Sequence, residues 1–371
     1  MRLAAGGRLL HLGICTNVLP GETVEALHEQ LTRYFAPLRA ALGEERLGIG
    51  LWIAAAPAAR LAADAGLIRA LRAALDDAGL YAFTLNAFPY GGFHAPRVKE
   101  RVFQPGWDHP ARVRYTLDCA TVLAGLLPDD VTEGTISTVP LGAVGIDLGA
   151  AAAGLSLAAA GLARIERAIR LCLEPEPGAA LETVAQAARF LAGLGDARAR
   201  LGVCFDTCHA AVVGEEPDVA FAALHAYGVR CGKVQISSAL VLEHPERDDD
   251  RAHLASFDEP RFFHQVRGPG GGAMDLPEAL AGLDRAGPWR VHFHVPIHRG
   301  RFGVLGTTAA GLPAALAAAL AAAGTAPHLE VETYTWSVLP EGERPETDAA
   351  LVAGLAQELA WARARVLEAV A

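Results

Sequence analysis

Carboxylates and imidazoles recur in this 371-residue sequence at the ends of short apolar runs, where an extended chain would hand them to a common space. LCLEPEP closes on Glu174 and Glu176, which share one face with Cys172 if the run is a strand. LGVCFDTCH places Asp206 at its end and His209 one helical turn beyond. KVQISS aligns Lys233, Gln235 and Ser237, VHFHVPIH offers His292, His294 and His298, and HLEVETYTW offers Glu330, Glu332 and Tyr334. A single strand-end carboxylate is as often a helix cap or half of a salt bridge as anything else. Several, in order along the chain, are a different matter. Unpaired carboxylates brought together repel one another and are costly to bury, and a divalent cation resolves the conflict.

A second candidate region is NAFPYGGFHAPRVK, a Gly/Pro-shaped loop that can close over a small molecule. Asn86 and His94 would supply polar contacts, Phe88 and Tyr90 an apolar wall, and Arg97 or Lys99 a clamp for a phosphate. Lysine is otherwise almost absent: Lys99 and Lys233 are the only two. That scarcity argues against Schiff-base chemistry, because Lys233 begins its run and Lys99 sits in a loop. Net charge is −10 and no arginine stripe is visible, which argues against a partner bound through its phosphate backbone. The six cysteines are dispersed and suit reduced thiols. The N-terminal stretch lacks the apolar core and cleavage site of a signal peptide, and Gly, Pro or charge interrupts the Ala/Leu-rich runs before membrane-spanning length. A cytoplasmic protein without membrane insertion is expected.

The elements that would position these side chains alternate in type. Strands are predicted at Leu9–Thr16, Leu47–Ile53, Tyr81–Ala87, Gly134–Pro140, Arg170–Glu176, Leu201–Thr207, Gly232–Ser238, Arg290–Ile297 and Leu329–Thr335. Helical periodicity fills Thr23–Leu42, Leu67–Ala78, His109–Leu127, Glu182–Leu194 and Pro313–Ala323. The alternation implies an α/β fold in which helices wrap a parallel sheet, a (β/α)8 TIM barrel with its chemistry at the C-terminal strand ends. Nine strand-like runs exceed a barrel by one. The surplus is expected between strands seven and eight, in an irregular insertion at about 239–300 that takes in Arg290–Ile297 or sets it against Gly232–Ser238. One domain, 1–371, is expected, and its Ala/Leu helices leave a homo-oligomer face open.

Four segments of the second half carry a resemblance. Asp206-Thr207-Cys208-His209 resembles the D-T-C-H motif of endonuclease IV and the D-x-x-H of ketose 3-epimerases. Glu174 after Leu-Cys-Leu and Glu332 in LEVET resemble the fifth- and last-strand glutamates of both groups. Gln235 stands where those proteins usually carry histidine, and Glu174 is followed by Pro175 where the nucleases have an E-N pair. HLGICTNVLPGET, YAFTLNAFPYGGFHAPRVKE and TISTVPLG resemble EboE-type proteins, a xylose isomerase-like family associated with metabolite traffic. The resemblance implies a xylose isomerase-like barrel with one divalent ion (Mn, Mg, Co or Zn) held by Glu174, Asp206 and Glu332, with Gln235 or His294 completing the shell. It implies an isomerase or epimerase of a sugar or cyclitol, or their phosphate, in which Glu174 and Glu332 exchange protons and His209 holds a substrate oxygen. A non-catalytic metabolite-binding barrel and a metal-dependent phosphodiesterase are the two alternatives, and no nucleic-acid partner is expected.

Overall fold

The computed structural model describes residues 1–321 and 325–370. Eight parallel strands close into a barrel: β1 (Arg8–Cys15), β2 (Leu47–Trp52), β3 (Leu80–Asn86), β4 (Glu133–Thr138), β5 (Ala168–Leu173), β6 (Leu201–Asp206), β7 (Cys231–Ile236) and β8 (His328–Val331). Each pairs with the next, and β8 returns to β1 through Leu329–Leu12, Glu330–Gly13 and Val331–Ile14. A short strand, Arg2–Ala5, folds back antiparallel on β1. The strands are covered on both faces, which is why runs such as Leu47–Trp52 and Leu80–Asn86 are buried at every position rather than at alternate ones.

Local signals set the helices. Asp64 accepts from the Gly66 and Leu67 amides and starts Ala65–Asp77; His109 caps Pro110–Leu126; Thr183 and Gln186 form a reciprocal capping box on Val184–Ala192. The helix predicted over Thr23–Leu42 is interrupted. Val24–Gln30 widens into a π-turn at Leu31–Phe35, where the Ala36 amide reaches the Leu31 carbonyl, before Ala36–Ala41 resumes. Pro37 has no amide to offer the preceding turn, and the widened turn absorbs that loss. Pro313–Ala323 corresponds to Leu312–Ala321; its last two residues lie outside the described residues.

Strands four, five and eight end two to four residues earlier than predicted, so Glu174, Glu176 and Glu332 sit just beyond the ladders rather than on them. The surplus predicted strand, Arg290–Ile297, is not in the barrel. Only Arg290 and Val291 of it pair, within the strand Trp289–Val291, against Leu240–Leu242 and Val266–Gly268. The segment between β7 and β8, expected to be irregular, builds a six-stranded antiparallel sheet with order Gly271–Ala273, Val266–Gly268, Trp289–Val291, Leu240–Leu242, Leu305–Thr307, Arg301–Phe302. Phe257 packs edge to face on Phe293 and Phe302 within this segment, and all three are buried, as is Trp289. Short strands with few alternating positions are weak sequence signals; apolar anchors spread over fifty residues are weaker still.

The barrel interior is polar. Lys233 Nζ lies 2.7 Å from Glu330 Oε2 and 3.2 Å from Ser137 Oγ, and neither Lys233 nor Glu330 meets solvent. Burial is tolerable because the two charges neutralise each other. Gly50 makes the space: a Cβ there would lie 1.2 Å from Glu330 Oε1. Lys233 is thus committed below the mouth of the barrel, and the candidate chemistry lies one layer above it.

Candidate metal centre

At the mouth, Glu174, Asp206 and Glu332 converge, with a carboxylate oxygen of each within 4.8 Å of the others. Strand β6 ends at Asp206, which caps the helix Thr207–Val213: Oδ1 accepts from the His209 amide (2.8 Å) and the Ser237 hydroxyl (2.8 Å). Its Oδ2 has no partner, and neither does Glu174 Oε2. Gln235, paired in register with Asp206, is fully buried with both amide atoms unpartnered. Glu332 Oε1 accepts from Asn17 Nδ2 and Asn86 Nδ2, each at 2.7 Å, so β3 and the turn after β1 fix its position. Burial raises the Glu174 carboxyl to about 7, with Asp206 adding to the effect. Burial, then Glu174 and Asp206, raise Glu332. Buried acceptors left unpaired are expensive, and their concentration at one point fits an oxygen-ligated divalent ion.

Beside the carboxylates stand three buried histidines, each with Nδ1 already engaged. His209 donates to the Pro175 carbonyl (2.9 Å) and His294 to the Glu332 carbonyl (2.9 Å). Gln265 Nε2 donates to Glu176 Oε1 (3.0 Å) and to the Pro177 carbonyl (2.8 Å), so its Oε1 is left to accept from His292 Nδ1 at 2.6 Å. The three Nε2 atoms therefore carry lone pairs. His209 Nε2 lies 3.2 Å from His292 Nε2 and 3.3 Å from His294 Nε2. Burial pushes His292 well below the usual imidazole range and His294 down to about 4. Asp206 belongs to both groups, since its carboxylate also lies within 4.8 Å of His209 and His294. Glu176, raised to about 8 by burial, borders the same space.

The sequence-predicted residues divide. Glu174, Asp206, Gln235, His294, Glu332 and His209 come together, and Asn86 and Phe88 line the cavity. His94 lies behind it, with Nε2 2.9 Å from the Asn17 carbonyl and its ring against Trp52 and Phe93. Tyr90 packs on Tyr115 instead. Neither proposed clamp is free for a ligand, although Lys99 borders a small cavity shared with Glu176, His292 and Tyr334. Arg97 is exposed beside Glu100, and Lys99 is buried in an ion pair with Asp275, its amide on the Arg261 carbonyl. The loop is therefore latched to the inserted sheet rather than offering a cation to a ligand. His264 is spent on the His292 carbonyl and Glu259, and His298 lies outside the metal-ligand groups among the described residues. Sequence reasoning offers His292 and Glu176 at strand ends without giving either a role, and it leaves out Asn17. The H-x-H spacing of His292 and His294 was the available signal for the first; nothing local marks Asn17.

Phe93, Phe262 and Tyr334 close the mouth, with ring centroids 4.9–5.1 Å apart. Beneath them the cavity encloses about 40 Å³, room for ions and a few waters.

A family model described as xylose isomerase-like TIM barrel matches residues 47–299. The chain belongs to the xylose isomerase-like TIM barrel family. A D-psicose 3-epimerase from Clostridium cellulolyticum H10, solved with D-tagatose, is similar in fold at a TM-score of 0.54 and 14% identity, over 96% of this chain and 99% of that one. A xylose isomerase domain protein from Planctomyces limnophilus matches at 0.51 and 14% identity, over 97% and 98%. No curated protein matches by sequence. Family membership fixes the barrel, and among the described residues no helix is long and apolar enough to cross a membrane.

Proposed function

We propose that this family member is a metal-dependent isomerase or epimerase of a small polyol, a sugar or cyclitol, working through an enediolate. The observation that carries the reading is the convergence of the Glu174, Asp206 and Glu332 carboxylates, with Glu174 Oε2 and Asp206 Oδ2 buried and unpartnered and the unpartnered Gln235 in register with Asp206. A divalent ion of the Mn, Mg, Co or Zn type held there would polarise a substrate carbonyl and steady the neighbouring oxyanion. The chain's own residues supply the rest. Burial and then Asp206 raise Glu174, and burial and then Glu174 and Asp206 raise Glu332, so one can take a proton from a substrate carbon while the other returns one. Asn17 and Asn86 hold Glu332 in one orientation, and His209 offers its Nε2 to a substrate oxygen. Phe93, Phe262 and Tyr334 exclude water once closed. They must part to admit a polyol, because about 40 Å³ holds only a few waters.

The first-half segments support an EboE-type assignment within the family, and with it a metabolite-binding or trafficking role as the second reading. The histidine cluster favours a third, phosphodiester hydrolysis, but among the described residues no Lys or Arg lines this cavity, and Lys99 beside it is paired with Asp275. Six free thiols suit the cytoplasm.

The test is proton exchange. Metal-loaded protein incubated with a panel of ketoses and cyclitol ketones in D2O should introduce deuterium next to the carbonyl, read by NMR. Glu332→Gln should abolish it. Bound metal without exchange on any ketose would reject isomerisation and leave the binding barrel.

A further inference from the structure

The C-terminal helix, Asp348–Ala369, buries Val352, Leu355, Leu359, Ala362 and Val366, and a carboxylate, Glu358, lies in the same stripe. Its side chain does not meet solvent, and its three partners are neutral donors. Oε1 accepts from the Ile297 amide (3.0 Å) and the Thr333 hydroxyl (2.7 Å), and Oε2 from the Trp336 indole N–H (2.9 Å). Burial pushes the carboxyl up to about 7, although all three donors lower it. A carboxylate in an apolar stripe is costly, and packing alone would be served as well by a leucine.

What the donors have in common is the mouth of the barrel. Thr333 follows Glu332, Ile297 stands three residues after His294, and Tyr334 lies between Thr333 and Trp336. The two segments are also tied to each other. His294 Nδ1 donates to the Glu332 carbonyl (2.9 Å), and the Thr335 hydroxyl to the His294 carbonyl (2.6 Å). The Tyr334 ring lies against His294 at 4.6 Å. We infer that Glu358 is a positioning residue, which from outside the cavity sets Glu332, His294 and Tyr334 relative to one another and can do so only as a carboxylate. The inference rests on the proposed carboxylate site for what Glu332 does, while the clamp itself stands on separate contacts.

The helix is shaped to receive the indole. Gly354 lies one turn before Glu358 on the same face, and a Cβ there would come 2.6 Å from the Trp336 ring. Glycine weakens a helix interior; here it leaves room for the ring. The donors also fix the chemistry at 358. The Ile297 and Trp336 groups can only donate, and they address different oxygens. Glu358→Gln would therefore set an amide N–H against Trp336 in one orientation and against Ile297 in the other. Trp336→Phe removes that conflict, because the carboxamide oxygen can still take Ile297 and Thr333 while its nitrogen meets a ring.

The experiment titrates Mn2+ into the chelator-stripped full chain by calorimetry, far below the melting temperature. Glu358→Gln should lose roughly 10–100-fold in affinity, the scale of a lost outer partner, and adding Trp336→Phe should return most of it. Gly354→Ala, which by itself favours the helix, should weaken affinity in the same direction, and it decides the matter if Glu358→Gln does not fold. A lower melting temperature with unchanged affinity in these single variants would overturn the inference and leave Glu358 a staple for the helix. So would a double variant that binds no tighter than Glu358→Gln. A second readout needs no metal. In 15N NMR of the stripped chain, His294 should show the Nδ1–H tautomer alone in wild type and both tautomers in Glu358→Gln. If wild type binds no ion, the carboxylate-site reading fails and this signal still decides: a mixed His294 pattern in the variant upholds the positioning role, and an unaltered one refutes it.

Discussion

Histidines crowd both ends of this barrel. At the mouth, three imidazoles turn their Nε2 atoms toward one another beside Asp206. At the floor, His11 and His328 meet edge to face at 5.6 Å, against Phe83 and Tyr81. Burial lowers both groups alike: His11 to about 4 and His328 well below its usual range, as for His294 and His292. Even the locking of tautomers recurs. Thr84 donates to the Thr135 carbonyl and Thr135 to Thr84, so Thr135 Oγ1 must accept from His328 Nδ1 at 2.8 Å. The difference is what the remaining nitrogen faces. At the floor it has aromatic rings and no carboxylate-histidine group of metal-binding size among the described residues; at the mouth it has other lone pairs and a shared carboxylate. Burial and a depressed pKa do not make a ligand. Direction does.

Three changes test that contrast, beginning with the largest. Asp206→Asn keeps the Oδ1 that caps its helix and removes the charge common to both metal-ligand groups. Divalent-ion affinity should fall by more than the roughly 10–100-fold that losing an outer-shell partner costs, with little change in melting temperature of the metal-free chain. Unchanged affinity by calorimetric titration would mean that the mouth is no different from the floor.

Acid should act on the floor next. His11 is held at about 4 by burial, below its unfolded value of 6.5. Its contribution to stability is therefore complete above pH 6.5 and disappears as pH falls through 4, a span of 2.5 units or about 3 kcal/mol. Denaturant melts of wild type and His11→Phe should converge across that window while metal content stays the same. A parallel acid limb in both proteins would remove His11 from the explanation.

The smallest effect belongs to His328→Gln. Thr135 loses its donor in a buried layer, and stability should drop by about 1–2 kcal/mol, measured by urea titration. Metal stoichiometry should be that of wild type; a lost equivalent would show that the floor does hold an ion.

Much of the barrel was readable because its strands are continuous apolar runs, a pattern that parallel sheets impose when both faces are covered. Glu174, Asp206 and Glu332 were readable for a related reason: they follow directly after such runs, where a barrel displays its functional side chains. The loop is less legible, and for one reason. A lone cation in a Gly/Pro loop reads as available, yet Asp275, 176 positions beyond Lys99, pairs with it. Tyr90 reads as part of a cavity wall, but its ring packs on Tyr115. In both cases the deciding partner is remote in sequence, and no local pattern announces it.

What the sequence by itself determined is the order of elements and the kinds of atom available at each strand end, because periodicity and residue chemistry are local properties. What only the tertiary structure decided is which of those atoms face one another. The inserted sheet swings His292 and His294 over the mouth, Pro175 and Glu332 carbonyls fix the tautomers there, and Asn17 crosses from β1 to hold Glu332. A ligand set is a relation among directions in space, and those directions exist only once distant segments have packed.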